Sequence, residues 1–177
     1  MTTILCVDLD GTLILVDTMQ EAIWSFLGAH PFQCWRLLLW LCRGRAYLKQ
    51  KLGQYVALEP SLLPYHEPFL AWLKERKKAG DTLVLATATD QTFAIAIASY
   101  LGLFDDVLAS NGRVNLRAQS KAAALNERYG VKGYDYAGNS CDDLKVWSQA
   151  RHAIVVNASR CVERRARTCC DVTHVFG

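Results

Sequence analysis

From residue 82 onward, short β-prone runs alternate with helical stretches of about ten residues, which dictates βαβ units and a mostly parallel sheet covered on both faces. Strands are expected at 82–86, 107–109, 134–137, 153–156 and 172–176, and helices at 91–101, 120–129, 142–151 and 159–167. A further apolar strand is expected at 3–9, ending in acids and a glycine. Between that strand and the rest of the sheet, the chain is helical. Helices are expected from about 17 to 27, 31 to 42 and 45 to 58, divided by Pro31 and Gly44. Pro60, Pro64 and Pro68 mark the exit, and an amphipathic helix follows at 69–78. The expected fold class is α/β: a Rossmann-like core of residues 1–16 and 69–177, with a small all-helical cap at 17–68. Such a cap sits over the carboxyl ends of the strands, where α/β proteins place ligands.

Composition removes several function classes. A chain of 177 residues with 51% hydrophobic and 21% charged residues is a folded domain with one insertion, not a disordered segment. A net charge of +3 is too small to argue for nucleic acid, and no nucleic-acid partner is expected. Seven cysteines include no C-x-x-C pair, so zinc spacing is missing and reduced thiols in the cytoplasm are expected. Cys169 and Cys170 are expected to pack as small apolar residues. The N-terminus lacks a basic region and reaches an acid at Asp8, unlike a signal peptide. The apolar run at 37–42 is far below the roughly 18 residues of a membrane span, so a soluble or membrane-peripheral protein is expected. The last strand is followed at once by Gly177, so the chain is expected to be part of a longer polypeptide.

Asp8-Leu9-Asp10-Gly11-Thr12-Leu13 carries the chemistry. Carboxylates two residues apart on an extended segment point the same way. Two such charges repel and need a cation or a shared proton. Mg²⁺ with oxygen ligands meets that need. One acid can then attack phosphorus while the other passes a proton to the leaving group. A simple Asp-Gly turn requires neither the buried strand nor the second acid.

This hexapeptide resembles the first motif of the haloacid-dehalogenase superfamily of phosphatases. Leu83-Val84-Leu85-Ala86-Thr87 resembles the second, Lys121 after Ser120 the third, and Gly138-Asn139-Ser140-Cys141-Asp142-Asp143 the fourth. The resemblance implies Asp8 as nucleophile, forming an aspartyl-phosphate, and Asp10 as general acid/base with its carbonyl on the metal. It implies that Thr87 and the backbone N–H of Ala88 hold phosphoryl oxygens, and that Lys121 offsets the negative charge. Asp8, Asp10, Asn139 and Asp143 would surround Mg²⁺, directly or through water. Asn139 stands where the family usually has Asp, so it brings an oxygen without a charge. Asp142 is either a helix N-terminal acid or a metal neighbour.

The wider wording, including 85–91, 103–110 and 136–147, is similar to haloacid-dehalogenase domains fused to or encoded beside UbiA-like prenyltransferases. That similarity implies a polyprenyl-phosphate-linked phosphopentose as substrate and a membrane prenyltransferase as partner. The cap is consistent with this on its own terms. Residues 22–58 contain no Asp or Glu, yet hold Arg36, Arg43, Arg45, Lys49 and Lys51 among Trp24, Trp35, Trp40 and Tyr47. Such a surface fits anionic lipid headgroups, and Arg43 and Arg45 are substrate-binding candidates. The alternatives are a cap whose tryptophans form its own core, a phosphatase of a small soluble phosphorylated metabolite, or a weakly catalytic regulatory domain for a membrane transferase.

Overall fold

A computed structural model describes residues 3–111 and 114–177. Six parallel strands form one sheet in the order β3-β2-β1-β4-β5-β6. They are β1 (Ile4–Val7), β2 (Thr82–Asp90), β3 (Asp106–Ser110), β4 (Asp135–Gly138), β5 (Ala153–Val156) and β6 (Val172–Phe176). The direction of winding reverses beside β1, so a crevice opens at the carboxyl ends of β1 and β4.

The central strands are apolar on both faces, as a sheet covered by helices requires. Leu5, Val7, Leu83 and Leu85 point to one side, where α4 (Glu67–Lys78) and α5 (Gln91–Leu101) bury Phe69, Leu73, Ala94 and Ile97 against them. Cys6, Val84, Ala86 and Tyr136 point to the other. There α6 (Gln119–Tyr129), α7 (Leu144–Trp147) and α8 (Arg160–Cys169) supply Leu125, Trp147 and Val162.

Some expected bounds shift. The second strand continues past residue 86 to Asp90, whose carboxylate then caps α5 by accepting the Thr92 N–H. The helix expected at 142–151 is reduced to the four residues of α7. Cys169 is exposed and Cys170 only half-buried, because the chain turns from α8 to an edge strand there.

Between β1 and α4 come α1 (Thr18–Ala29), α2 (Trp35–Cys42) and α3 (Arg45–Tyr55), with a 3-10 turn at Pro31–Gln33. Asp17 caps α1 by accepting the N–H groups of Met19 and Gln20. Ala22, Phe26, Trp40, Leu48 and Leu52 form a small core that closes on Phe93 of α5. Gly53 lets α3 lie close to α5, since a Cβ there would meet the Asp90 carboxylate at 2.6 Å. Outgoing and returning chains pair at the neck: the Leu15 N–H donates to the Pro64 carbonyl and the His66 N–H to the Leu13 carbonyl. Buried His66 then caps α4 through Nδ1.

Candidate active site

The β1 ladder extends one residue past the strand, because the Asp8 N–H donates to the Ala137 carbonyl. Asp8 therefore leaves the sheet on the face of α6. Gly11 turns the chain with φ of +72°. A Cβ at Gly11 would meet Asn139 Nδ2 at 2.1 Å, so only glycine allows the β1 and β4 loops to approach this closely.

Lys121 enters from the first turn of α6. Ala118, just before that helix, holds a left-handed φ of 48°, a strained conformation for a non-glycine residue that turns the chain into the helix. The buried Lys121 ammonium lies 2.8 Å from Asp8 Oδ1 and donates to the Tyr136 hydroxyl at 2.7 Å. The Tyr136 hydroxyl donates onward to Asp143 Oδ1 at 2.8 Å. Asp143 Oδ2 accepts the N–H groups of Asn139 and Ser140 and the Ser140 hydroxyl. Gly138 makes room for this carboxylate, since a Cβ there would meet Asp143 Cγ at 2.6 Å. Asp143 thus fixes the 139–140 turn and the far end of the lysine chain.

Asp10 is held differently. Its Oδ1 accepts the Thr18 N–H at 2.9 Å and its Oδ2 the Thr89 hydroxyl at 2.6 Å. Thr87 is fully buried and accepts the Thr89 N–H. Ala88 lines the cavity, and its carbonyl takes bonds from Ser110 and Lys49.

Burial shapes the protonation. It pushes the Asp8 carboxyl up from 3.8 to about 7, against the opposing pull of Lys121. Burial also raises Asp10, partly offset by the bonds from Thr89 and Thr18. Burial opposes the charge on Lys121, but Asp8 and Asp143 prevail and its pKa rises. Tyr136 is raised by burial and by Asp143, so its hydroxyl keeps its proton.

These groups open on a cavity of about 460 Å³ lined by Asp8, Asp10, Lys121, Asn139 and Asp143 from the core. The cap contributes Arg45 and Lys49, one helical turn apart on α3. Arg117 also lines it, paired with Asp142 at the rim. Arg43 lies apart: its guanidinium sits over the Tyr47 ring at 5.3 Å and bonds the Tyr47 hydroxyl. Sequence reasoning missed Tyr136, Thr89 and Thr18. It named Lys49 only as a basic residue of the cap, although its spacing from Arg45 was the available signal.

Among the described residues, no three His, Cys, Asp or Glu side chains gather as a metal-binding group. Both Asp143 oxygens and both Asp10 oxygens are already engaged. The donors that remain are oxygens: the Asp8 carboxylate, the Asn139 amide and nearby carbonyls. An all-oxygen set of this kind suits a hard cation such as Mg²⁺.

A phosphoserine phosphatase in its apo form superposes with a TM-score of 0.68 at 15% identity, covering 99% of this chain and 94% of its own. The fold is the haloacid-dehalogenase fold. A haloacid dehalogenase-like hydrolase from Streptococcus pneumoniae shares it, with a TM-score of 0.60 at 15% identity over 99% of this chain and 93% of that one. A phospho-aspartyl intermediate analogue of phosphoserine phosphatase shares it too, with a TM-score of 0.65 at 14% identity over 99% and 93%. An uncharacterized protein of Sinorhizobium fredii, y4nM, is 38% identical over 149 residues, or 84% of this chain. The chain spans only 29% of that relative's length. No protein-family model matches the chain. Within the haloacid-dehalogenase fold, Asp8 and Asn139 stand at the ends of adjacent strands, which is why residues far apart in sequence share one cavity.

Proposed function

We propose that the protein is a Mg²⁺-dependent phosphomonoester hydrolase that works through an aspartyl-phosphate on Asp8. The observation that carries this reading is the Lys121–Asp8 ion pair at the floor of a cavity that Asp10 also lines. Lys121 holds Asp8 Oδ1, and Oδ2 has no hydrogen-bond partner among the described residues. That free oxygen attacks phosphorus. Asp10, whose burial favours the protonated acid, gives its proton to the departing oxygen. It then takes a proton from the water that cleaves the acyl-phosphate. Lys121 stabilises the charge that builds on the phosphoryl oxygens, and the Ala88 N–H orients them, with buried Thr87 positioning the 87–89 segment through its bond from the Thr89 N–H. Asp8, the Asn139 amide and the Asp10 carbonyl would hold Mg²⁺, with Asp143 positioning Asn139 through its backbone. A cation held there would supply positive charge shared by nucleophile and phosphate. Hydrolysis of an aryl phosphate that needs Mg²⁺ and is lost in Asp8→Asn tests this assignment. Full activity of Asp8→Asn in chelator overturns it.

The substrate we propose is a polyprenyl-phosphate-linked phosphopentose. Arg45 and Lys49 reach the cavity from the cap, apart from the Lys121–Asp8 pair, whereas Arg117 is paired with Asp142. A second anion in the substrate, such as a phosphodiester, would meet Arg45 and Lys49. A UbiA-like prenyltransferase is the partner this reading supplies, and the long relative, matched over 29% of its length, has room for a further module. No helix among the described residues is long and apolar enough to cross a membrane. The acid-free, basic and aromatic stretch at 22–58 supports a peripheral place at the cytoplasmic membrane surface. Turnover of a soluble phosphorylated metabolite in preference to the lipid-linked phosphosugar would replace this substrate while leaving the chemistry intact.

A further inference from the structure

α2 is apolar on every side but one. Its inner side, Leu37 and Trp40, closes the cap core, with Trp40 packed edge-on against Phe26. Its outer side repeats the pattern. Trp35, Leu38, Leu39 and Cys42 fall at i, i+3, i+4 and i+7 and face solvent. Phe32, on the turn that leads into the helix, is 93% exposed, and Leu38 is 67% exposed. A contiguous apolar face of this kind marks a surface that something covers.

The rim of that face has one sign. No acid occurs over residues 22–58. Arg36 and Arg43 flank a groove of about 430 Å³ that Trp35, Leu39 and Tyr47 also line. Their guanidinium groups lie over the rings of Tyr55 and Tyr47, at 5.4 and 5.3 Å. Leucines at the centre, tryptophan beside them and arginines at the edge are the arrangement of a helix lying in a membrane interface.

We propose that the outer face of α2, with Phe32, seats in the headgroup layer of an anionic lipid bilayer, with Arg36 and Arg43 on lipid phosphates. A second copy of this chain fits poorly, because a two-fold pairing would press one wholly basic rim against another. The inference deepens the lipid-linked substrate reading and rests on it for its purpose. Arg43 edges the docking groove, and Arg45, two residues on, lines the reaction cavity. A docked cap therefore tethers the reaction cavity near the membrane through the Arg43–Arg45 segment, although the two side chains face different surfaces.

The test is sedimentation of the full chain with vesicles of phosphatidylglycerol and phosphatidylcholine, against vesicles of phosphatidylcholine alone. Binding is expected on the anionic vesicles, and it should fall at least about tenfold in about 1 M salt, where charges are screened. A triple variant, Trp35→Ser, Leu38→Ser and Leu39→Ser, should lose binding about tenfold or more. All three residues are mostly exposed and lie outside the reaction cavity, so the variant should stay folded, with a small drop in melting temperature, and keep the unaltered rate of aryl phosphate hydrolysis. Absence of binding to anionic vesicles, equal binding by the triple variant, or a solution dimer that the variant abolishes would each overturn the inference. The two readings fail separately: vesicle binding by a chain inert toward aryl phosphate removes the phosphatase, and hydrolysis without vesicle binding removes the docking face.

Discussion

The Lys121 ammonium lies 2.8 Å from Asp8 Oδ1, although 113 residues separate the two in sequence. The parallel sheet makes this possible by bringing the end of β1 beneath the first turn of α6. Lys121→Ala should remove the cation that faces the developing charge and cut kcat by about 10²–10³-fold. Lys121→Arg should recover little of it, because the planar guanidinium cannot bond Asp8 and Tyr136 in the same compact pocket. Steady-state kinetics on an aryl phosphate decides between these outcomes; wild-type kcat in Lys121→Ala would show that the pair is structural.

Tyr136→Phe tests the link beyond the lysine. It leaves Asp143 Oδ1 without its donor and Lys121 Nζ with one acceptor fewer. A buried acceptor left unsatisfied costs about 1–3 kcal/mol, so denaturant titration should show a loss of that order. Mg²⁺ affinity should weaken with it, since Asp143 holds the turn that carries Asn139.

Much of this arrangement is legible in sequence, and the exceptions have physical causes. Asp8, Asp10 and Gly11 are adjacent, so their chemistry can be read locally. Tyr136 reads as one more apolar residue of a buried strand, because its role depends on partners from α6 and from the loop after β4. Thr87, Ala88 and Thr89 look like a loop. They remain in the strand because Asp10 and Ser110 satisfy their polar groups. Arg43 and Arg45 look equivalent in a basic stretch. Gly44, with φ of +104°, breaks the helix between them and sends their side chains to different surfaces.

Asn139→Asp should tighten Mg²⁺ by adding a formal charge beside the oxygen donors. The half-saturating Mg²⁺ concentration, read from rate against added cation, should fall. An unchanged value would mean that residue 139 is not a ligand.

Stability should depend on pH in the metal-free protein. The folded state raises the Asp8 carboxyl from 3.8 to about 7, so between those values the native state holds a proton that the unfolded chain has released. Stability therefore falls as pH rises through that window and levels off above it. Mg²⁺ favours the carboxylate and should flatten the slope. Thermal melts from pH 4 to pH 8, with and without Mg²⁺, check the sign, and a metal-free protein that gains stability across the window would contradict it.

Arg45→Ala and Lys49→Ala should raise KM for a phosphosugar that carries a second anionic group, by about 10-fold each for a lost charge-assisted contact. KM for a plain aryl phosphate should change less. Equal effects on both substrates would place these residues on the phosphoryl group itself.

Hydrolysis through an aspartyl-phosphate requires that Asp8 carry the phosphoryl group during turnover. Rapid quenching of turnover in acid, followed by mass spectrometry of the peptide that contains residue 8, measures this directly. A single added phosphoryl group is expected on Asp8, one that hydroxylamine removes and that Asp8→Asn never acquires. Efficient hydrolysis with no such adduct, or an adduct on a different residue, would contradict this route.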